Sequence, residues 1–145
     1  MSYDELNRGL VLAKFPSEEW IKLFKDAVNA NPEYEDAAKT WEGDFLFVVK
    51  PDSTLKEEAV YYVDLWHGKC RDVAVLKPGE TKKTAFVYEG PYGNWMKLIN
   101  KQIDPIQGLL TGKFKLRGDM LKVLRAVGAA KALVDTAGKV PTEFA

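Results

Sequence analysis

Residues 58–66 constrain this chain more than any other stretch. Ala59, Tyr61, Val63 and Leu65 alternate there with Val60, Tyr62, Asp64 and Trp66. A two-residue period sends the two sets to opposite faces of a strand, and no helix can hold such a pattern on one side. The chain must therefore contain a sheet. Neighbouring runs supply its other strands. Residues 45–49 read Phe-Leu-Phe-Val-Val and end before Pro51, residues 71–76 end before Pro78-Gly79, and residues 84–88 end before Gly90-Pro91. His67-Gly68-Lys69 reads as a turn between two of them.

Helical spacing takes over on both sides of this block. Ser17 is a good N-cap, with Glu18 and Glu19 placed where acidic groups suit the helix dipole, and Trp20, Leu23, Phe24, Ala27 and Val28 then share a face. Asn31-Pro32 stops that helix, and residues 33–40 read as a shorter one. Downstream, Trp95, Leu98, Ile99 and Gln102 share a face of a helix of roughly three turns. Asp104-Pro105 opens a short helix with Ile106, Leu109 and Leu110 on its apolar side and Gly112 at its stop. Phe114-Lys115-Leu116 alternates as a fifth strand. Gly118-Asp119 then caps a single long helix over 120–137, with Val123, Val127, Ala130 and Val134 in one stripe and Met120, Leu121 and Leu124 in a second row. The order predicts an α+β fold with a five-stranded, mainly antiparallel sheet covered by helices on one face.

Size and charge narrow the function. At 145 residues the chain suits one domain spanning 1–145, large enough to bury a core without staples. Lys plus Arg and Asp plus Glu each number 21, so no global field draws in nucleic acid. Residues 1–14 carry Asp4, Glu5 and Arg8 among their apolar residues and show no continuous apolar h-region. No apolar run is long enough to span a bilayer. The final Thr142-Glu143-Phe144-Ala145 is not a Ser-Lys-Leu address, and a cytoplasmic setting is the expectation.

Residues that carry chemistry are scarce. His67 is the only histidine and reads as a solvated turn residue, and the only cysteine, Cys70, reads as a small buried apolar group. Serine occurs only at positions 2, 17 and 53, with no Gly-x-Ser-x-Gly elbow. One His and one Cys cannot furnish the usual zinc ligands, so no metal and no cofactor are expected. Gly90-Pro91-Tyr92-Gly93 reads as a strand-to-helix turn rather than a phosphate cradle. Lys113, Lys115 and Arg117 alternate along the fifth strand, followed by Lys122 and Arg125. They read either as the wet face of a protected edge strand or as a cationic rim for anionic lipid, a membrane surface or a coenzyme-A phosphate. Aromatics make up 12% of the chain, including four Trp, which hints at a large apolar interior.

One segment carries more than pattern. It reads Tyr88-Glu89-Gly90-Pro91-Tyr92-Gly93-Asn94-Trp95, then Asp104-Pro105, then Gly112-Lys113-Phe114-Lys115-Leu116-Arg117-Gly118-Asp119. This resembles the sterol-carrier-protein-2 (SCP2) family: a strand, a Trp-bearing helix, an Asp-Pro helix, then Gly-Lys-x-Lys-x-x-Gly-Asp leading into the last helix. Trp41-Glu42-Gly43-Asp44 before the first strand fits as well, and the likeness spans about 16–134. The resemblance implies an apolar tunnel between sheet and helices that takes a sterol or isoprenoid, a fatty acid or a fatty acyl-CoA without acting on it. Phe45, Phe47, Tyr61, Val63 and Phe86 would line it from the sheet. Trp95, Leu98, Ile99, Ile103, Ile106, Leu109, Leu110, Met120, Leu121 and Leu124 would line it from the helices, with Gln102 or Gln107 meeting a polar head. The partners expected are a lipid or fatty-acyl ligand and no nucleic acid, with a transient membrane-surface contact and a homodimer both left open. The alternative is an interaction or dimerisation domain that uses the same apolar cleft beside a lipid-metabolising enzyme.

Overall fold

The structure is a computed structural model that describes residues 12–145. Strand β2 (Glu42–Lys50) is the centre of the main sheet. It pairs antiparallel with β3 (Ala59–Trp66), Phe45 opposite Val63 and Phe47 opposite Tyr61. On its other side it pairs parallel with β5 (Phe86–Pro91), Phe45 opposite Phe86 and Phe47 opposite Tyr88. Antiparallel β4 (Lys69–Leu76) and β6 (Lys115–Arg117) form the two edges, giving the order β4-β3-β2-β5-β6. Three of the four pairings are antiparallel, as the sequence predicts.

Local chemistry sets the connections. The β3–β4 hairpin turns on His67 (φ 48°) and Gly68 (φ 80°), both in the left-handed region that a two-residue turn matching strand twist requires. A side chain on Gly68 would also strike the Glu35 carbonyl 2.6 Å away, so this glycine admits the hairpin beneath the neighbouring helix. Arg71 is the extra residue of a bulge opposite Asp64 and Leu65, and its guanidinium holds the Asp64 carboxylate at 3.0 and 3.2 Å.

Helices α1 (Glu18–Asn29) and α2 (Pro32–Ala37) precede the sheet. Ser17 caps α1 by accepting from the Trp20 amide, and Trp20, Ile21, Phe24 and Val28 are buried. Leu23, expected on that face, is exposed, and Ile21 takes its place. Helix α3 (Tyr92–Ile99) is shorter than the sequence predicts, because Lys101 adopts φ 62° and turns the chain away. Asp104 caps α4 (Pro105–Leu110), accepting from the Ile106 and Gln107 amides at 2.9 and 3.0 Å. Gly118, at φ 121°, lets the chain pass Phe86 and Ala85, whose atoms a Cβ would meet at 2.5 and 2.6 Å. The predicted single helix over 120–137 is two: α5 (Met120–Arg125) and α6 (Val127–Ala137), broken at Ala126 (φ −104°, ψ 37°).

A short parallel ribbon, β1 (Ala13–Phe15) with β7 (Thr142–Phe144), lies apart from the main sheet. The Trp20 indole donates to Thr142 Oγ1 at 2.8 Å and the Ala145 amide to the Tyr92 hydroxyl at 2.7 Å, which ties this ribbon to α1 and α3.

Candidate ligand-binding site

The face of the sheet that carries Phe45, Phe47, Tyr61, Leu65 and Tyr88 does not close against the helices. A cavity of about 110 Å³ remains between them. Trp20 and Phe24 of α1, Tyr34 of α2, and Trp95, Leu98 and Ile99 of α3 form part of the opposing wall. Pro105, Ile106 and Leu109 of α4 and Val123 of α5 continue it, and Ala129, Ala130, Leu133, Val134 and Ala137 of α6 complete it. Phe15, Trp41 and Ala126 fill the gaps. Among the described residues no Lys, Arg, His, Asp or Glu side chain lines this space.

Part of the wall is a chain of packed aromatic rings. Phe45 packs on Phe47 with centroids 5.3 Å apart, Phe47 on Trp95 at 5.6 Å, and Trp95 edge-on to Tyr88 at 5.6 Å. Most polar atoms of these rings are used elsewhere. The Trp95 indole donates to the Val48 carbonyl at 2.9 Å, and that of Trp41 to Gly43 at 3.0 Å. Tyr88 donates to the Pro105 carbonyl at 3.0 Å. Tyr61 donates to the Ser17 carbonyl and accepts from the Ser17 amide, both at 2.7 Å. Burial pushes the Tyr61 and Tyr88 hydroxyls above the ordinary tyrosine range, so both remain neutral donors.

Sequence and structure diverge over part of the predicted lining. Phe45, Phe47, Tyr61, Trp95, Leu98, Ile99, Ile106 and Leu109 come together around the cavity. Val63 and Phe86 share the sheet face but do not reach it. Val63 is fully buried beside Phe45, and Phe86 stacks behind Phe45 at 5.0 Å and against Trp41 at 5.2 Å. Ile103 is half-buried against Gly108, and Leu124 is half-buried on the core side of α5, both outside the lining. Leu110 of α4 and Leu121 of α5 are 62% exposed and Met120 of α5 38%, so these side chains face outward rather than into the cavity. Gln102 lies beyond the end of α3, and Gln102 and Gln107 are both exposed, so neither faces the cavity. Sequence reasoning missed the contribution of α1, α2 and α6. The stripes through Trp20 and Phe24 and through Ala130 and Val134 were legible as apolar faces, but not as walls of a void.

The other chemically distinctive residues lie elsewhere. His67 sits on the exposed hairpin turn, its Nε2 2.6 Å from Glu42. Burial pushes the Cys70 thiol up to about 12, so it stays protonated, and Asn29 clamps the Cys70 backbone from both sides at 2.8 and 2.9 Å. Among the described residues no group of three His, Cys, Asp or Glu converges to hold a metal ion. Lys113, Lys115 and Arg117 are exposed on and beside the edge strand β6. Lys122 turns back instead, donating to the Glu42 carbonyl with its ammonium 5.0 Å from the centroid of Trp41.

The sequence profile of the SCP-2 sterol transfer family matches residues 21–131, from α1 to the middle of α6. This chain belongs to that family. Its fold is shared with the crystal structure of a sterol carrier protein 2, at a TM-score of 0.76 and 28% identity over 86% of this chain and 97% of the other. The solution structure of a conserved hypothetical protein from Thermus thermophilus matches at a TM-score of 0.76 and 26% identity, over 88% of this chain and 90% of its own. Hydroxysteroid dehydrogenase-like protein 2 of Xenopus tropicalis is 28% identical over 121 residues, 81% of this chain. The chain spans about a quarter of that relative's length, 26%. The β1–β7 ribbon, which brings Phe15 to the cavity wall, lies outside the SCP-2 match.

Proposed function

We propose that this SCP-2 protein carries one apolar, lipid-like molecule between its sheet and helices and performs no chemistry on it. The single observation behind this reading is the cavity itself, a partly open void lined by apolar and aromatic side chains, with no charged group among the described residues. Lipid binding and transfer is what membership of the SCP-2 sterol transfer family supports in general. The driving force is removal of apolar surface from water, at ~0.8 kcal/mol per methylene, set against association costs of roughly 4–15 kcal/mol. A wall without charges selects by length and shape.

The cavity of 110 Å³ equals about four water-sized volumes of ~30 Å³ each. A sterol or long acyl chain must therefore part the walls. The wall suited to yield is α5–α6, which is broken at Ala126 and lined with small side chains at Ala129, Ala130 and Ala137.

The test is denaturing extraction and mass spectrometry of protein purified without detergent, beside an unrelated control. A specific co-purified lipid near one per chain is expected. A clean blank combined with failure to take up any added lipid would overturn the proposal.

A second reading draws on Leu110, Met120, Leu121 and Val127, exposed on α4, α5 and the start of α6. These side chains suit docking to a partner, and a relative roughly three times as long and named for a dehydrogenase-like protein fits a module working beside another activity.

A further inference from the structure

One piece of the cavity wall comes from outside the SCP-2 match. Phe15 of β1 lines the cavity and is only 2% exposed. Its ring centroid lies 4.9 Å from that of Trp20 in α1, 6.3 Å from Tyr61 in β3 and 6.2 Å from Tyr92 in α3. Phe15 therefore closes the junction where those three elements meet. Phe144 of β7 packs edge-on to it at 6.2 Å and does not itself line the cavity.

Little holds Phe15 in place. Among the described residues β1 pairs only with β7, setting Ala13 beside Thr142, Lys14 beside Glu143 and Phe15 beside Phe144. The Ala13 amide donates to the Pro141 carbonyl at 2.9 Å. Two further bonds tie the β7 end of the ribbon to the body, from the Trp20 indole to Thr142 Oγ1 and from the Ala145 amide to the Tyr92 hydroxyl. Thr142 and Phe144 are half-buried and Glu143 is exposed, so β7 gives up little apolar surface on leaving. A two-stranded ribbon is marginal by itself, and such units open at a free energy well below that of global unfolding. The flanking helices are held more firmly, α1 by buried Trp20, Ile21, Phe24 and Val28 and α3 by buried Tyr92, Trp95, Leu98 and Ile99.

We infer that the β1–β7 ribbon is a latch on the cavity: β7 lifts, Phe15 leaves the wall, and an apolar ligand passes between α1 and α3. This rests on the lipid-carrier reading and deepens it by naming the gate that controls exchange. The α5–α6 wall sets how much room a ligand finds, and the ribbon sets how fast it enters and leaves.

The experiment locks the latch with Lys14→Cys and Glu143→Cys in one variant. The two positions are exposed neighbours in the ribbon, and paired strands lie ~4.8 Å apart, within the reach of a disulfide. Cys70 is buried and does not compete. Exchange of 1-decanol is followed by stopped-flow tryptophan fluorescence, with Trp20 and Trp95 in the wall as reporters. The reduced variant is expected to behave as wild type. Oxidation is expected to slow association and dissociation together by roughly tenfold or more with Kd unchanged, and a thiol reductant to restore both rates. Thr142→Val, which removes the acceptor of the Trp20 indole, is expected to release decanol about three- to tenfold faster, the range of one net hydrogen bond. Equal exchange rates in the oxidised and reduced forms would overturn the latch and leave the carrier reading intact. Failure of wild type to bind decanol at all would overturn both.

Discussion

Six buried side chains, Tyr62 and Tyr92 among them, hold their protons beyond their ordinary ranges. The thiol of Cys70 is pushed up to about 12 from an ordinary value of 9, and Tyr34, Tyr61 and Tyr88 are raised from 10, in each case chiefly by burial. In the unfolded chain these groups titrate normally, so the folded state retains protons that the unfolded state loses. Their contribution to stability is fully present below pH 9 and is lost as pH rises through the folded values, at up to ~1.4 kcal/mol per pH unit for each group. The melting temperature should therefore hold steady from about pH 7 to 9 and fall between about pH 9 and 11, and Cys70→Ala should move the onset toward pH 10. A flat profile to pH 11 would contradict this burial. At this scale the sequence told direction better than depth. The family resemblance offered Phe45, Phe47, Tyr61, Val63 and Phe86 as the sheet's lining residues, and the register puts them on one face. It could not tell that Val63 stays beneath its neighbours, because depth depends on which side chains from other elements arrive above.

Elements with their own period or cap were legible, and elements without one were not. Ser17, Asp104 and Asp119 each accept the amide bonds their positions suggested. The three-residue strands β1 and β7 are too short to show a period, and only tertiary pairing reveals them. The break between α5 and α6 was hidden for the opposite reason. Val123, Val127, Ala130 and Val134 keep helical spacing across Ala126, so the stripe runs on while the backbone does not. Weak propensity around Gly128 is the remaining signal. A Cβ on Gly128 would meet nothing within 4 Å, and the residue lies in helix. Gly128→Ala should accordingly stabilise the protein by ~0.5–1 kcal/mol, raising the melting temperature by about 2–5 °C in differential scanning calorimetry. A lower melting temperature would mean that the break depends on glycine's freedom.

At the scale of the whole molecule, the fold leaves its centre unfilled. The opening of about 110 Å³ leaves apolar side chains uncovered at the centre of the fold, which is reasonable if something else is meant to cover them. The sequence could announce apolar surface and a family resemblance. It could not announce the void, because a stripe of Leu, Ile and Ala looks the same whether it meets a neighbour or a ligand. The most direct test is a calorimetric titration of wild type with 1-alkanols of increasing length, from about six carbons to about twelve. A carrier whose helical wall parts should bind each longer alcohol about fourfold more tightly, ~0.8 kcal/mol per methylene, well past the length that the resting cavity holds. An affinity that stops rising at about six carbons would mean a rigid void too small for a lipid, and no saturable binding at any length would contradict the carrier function outright.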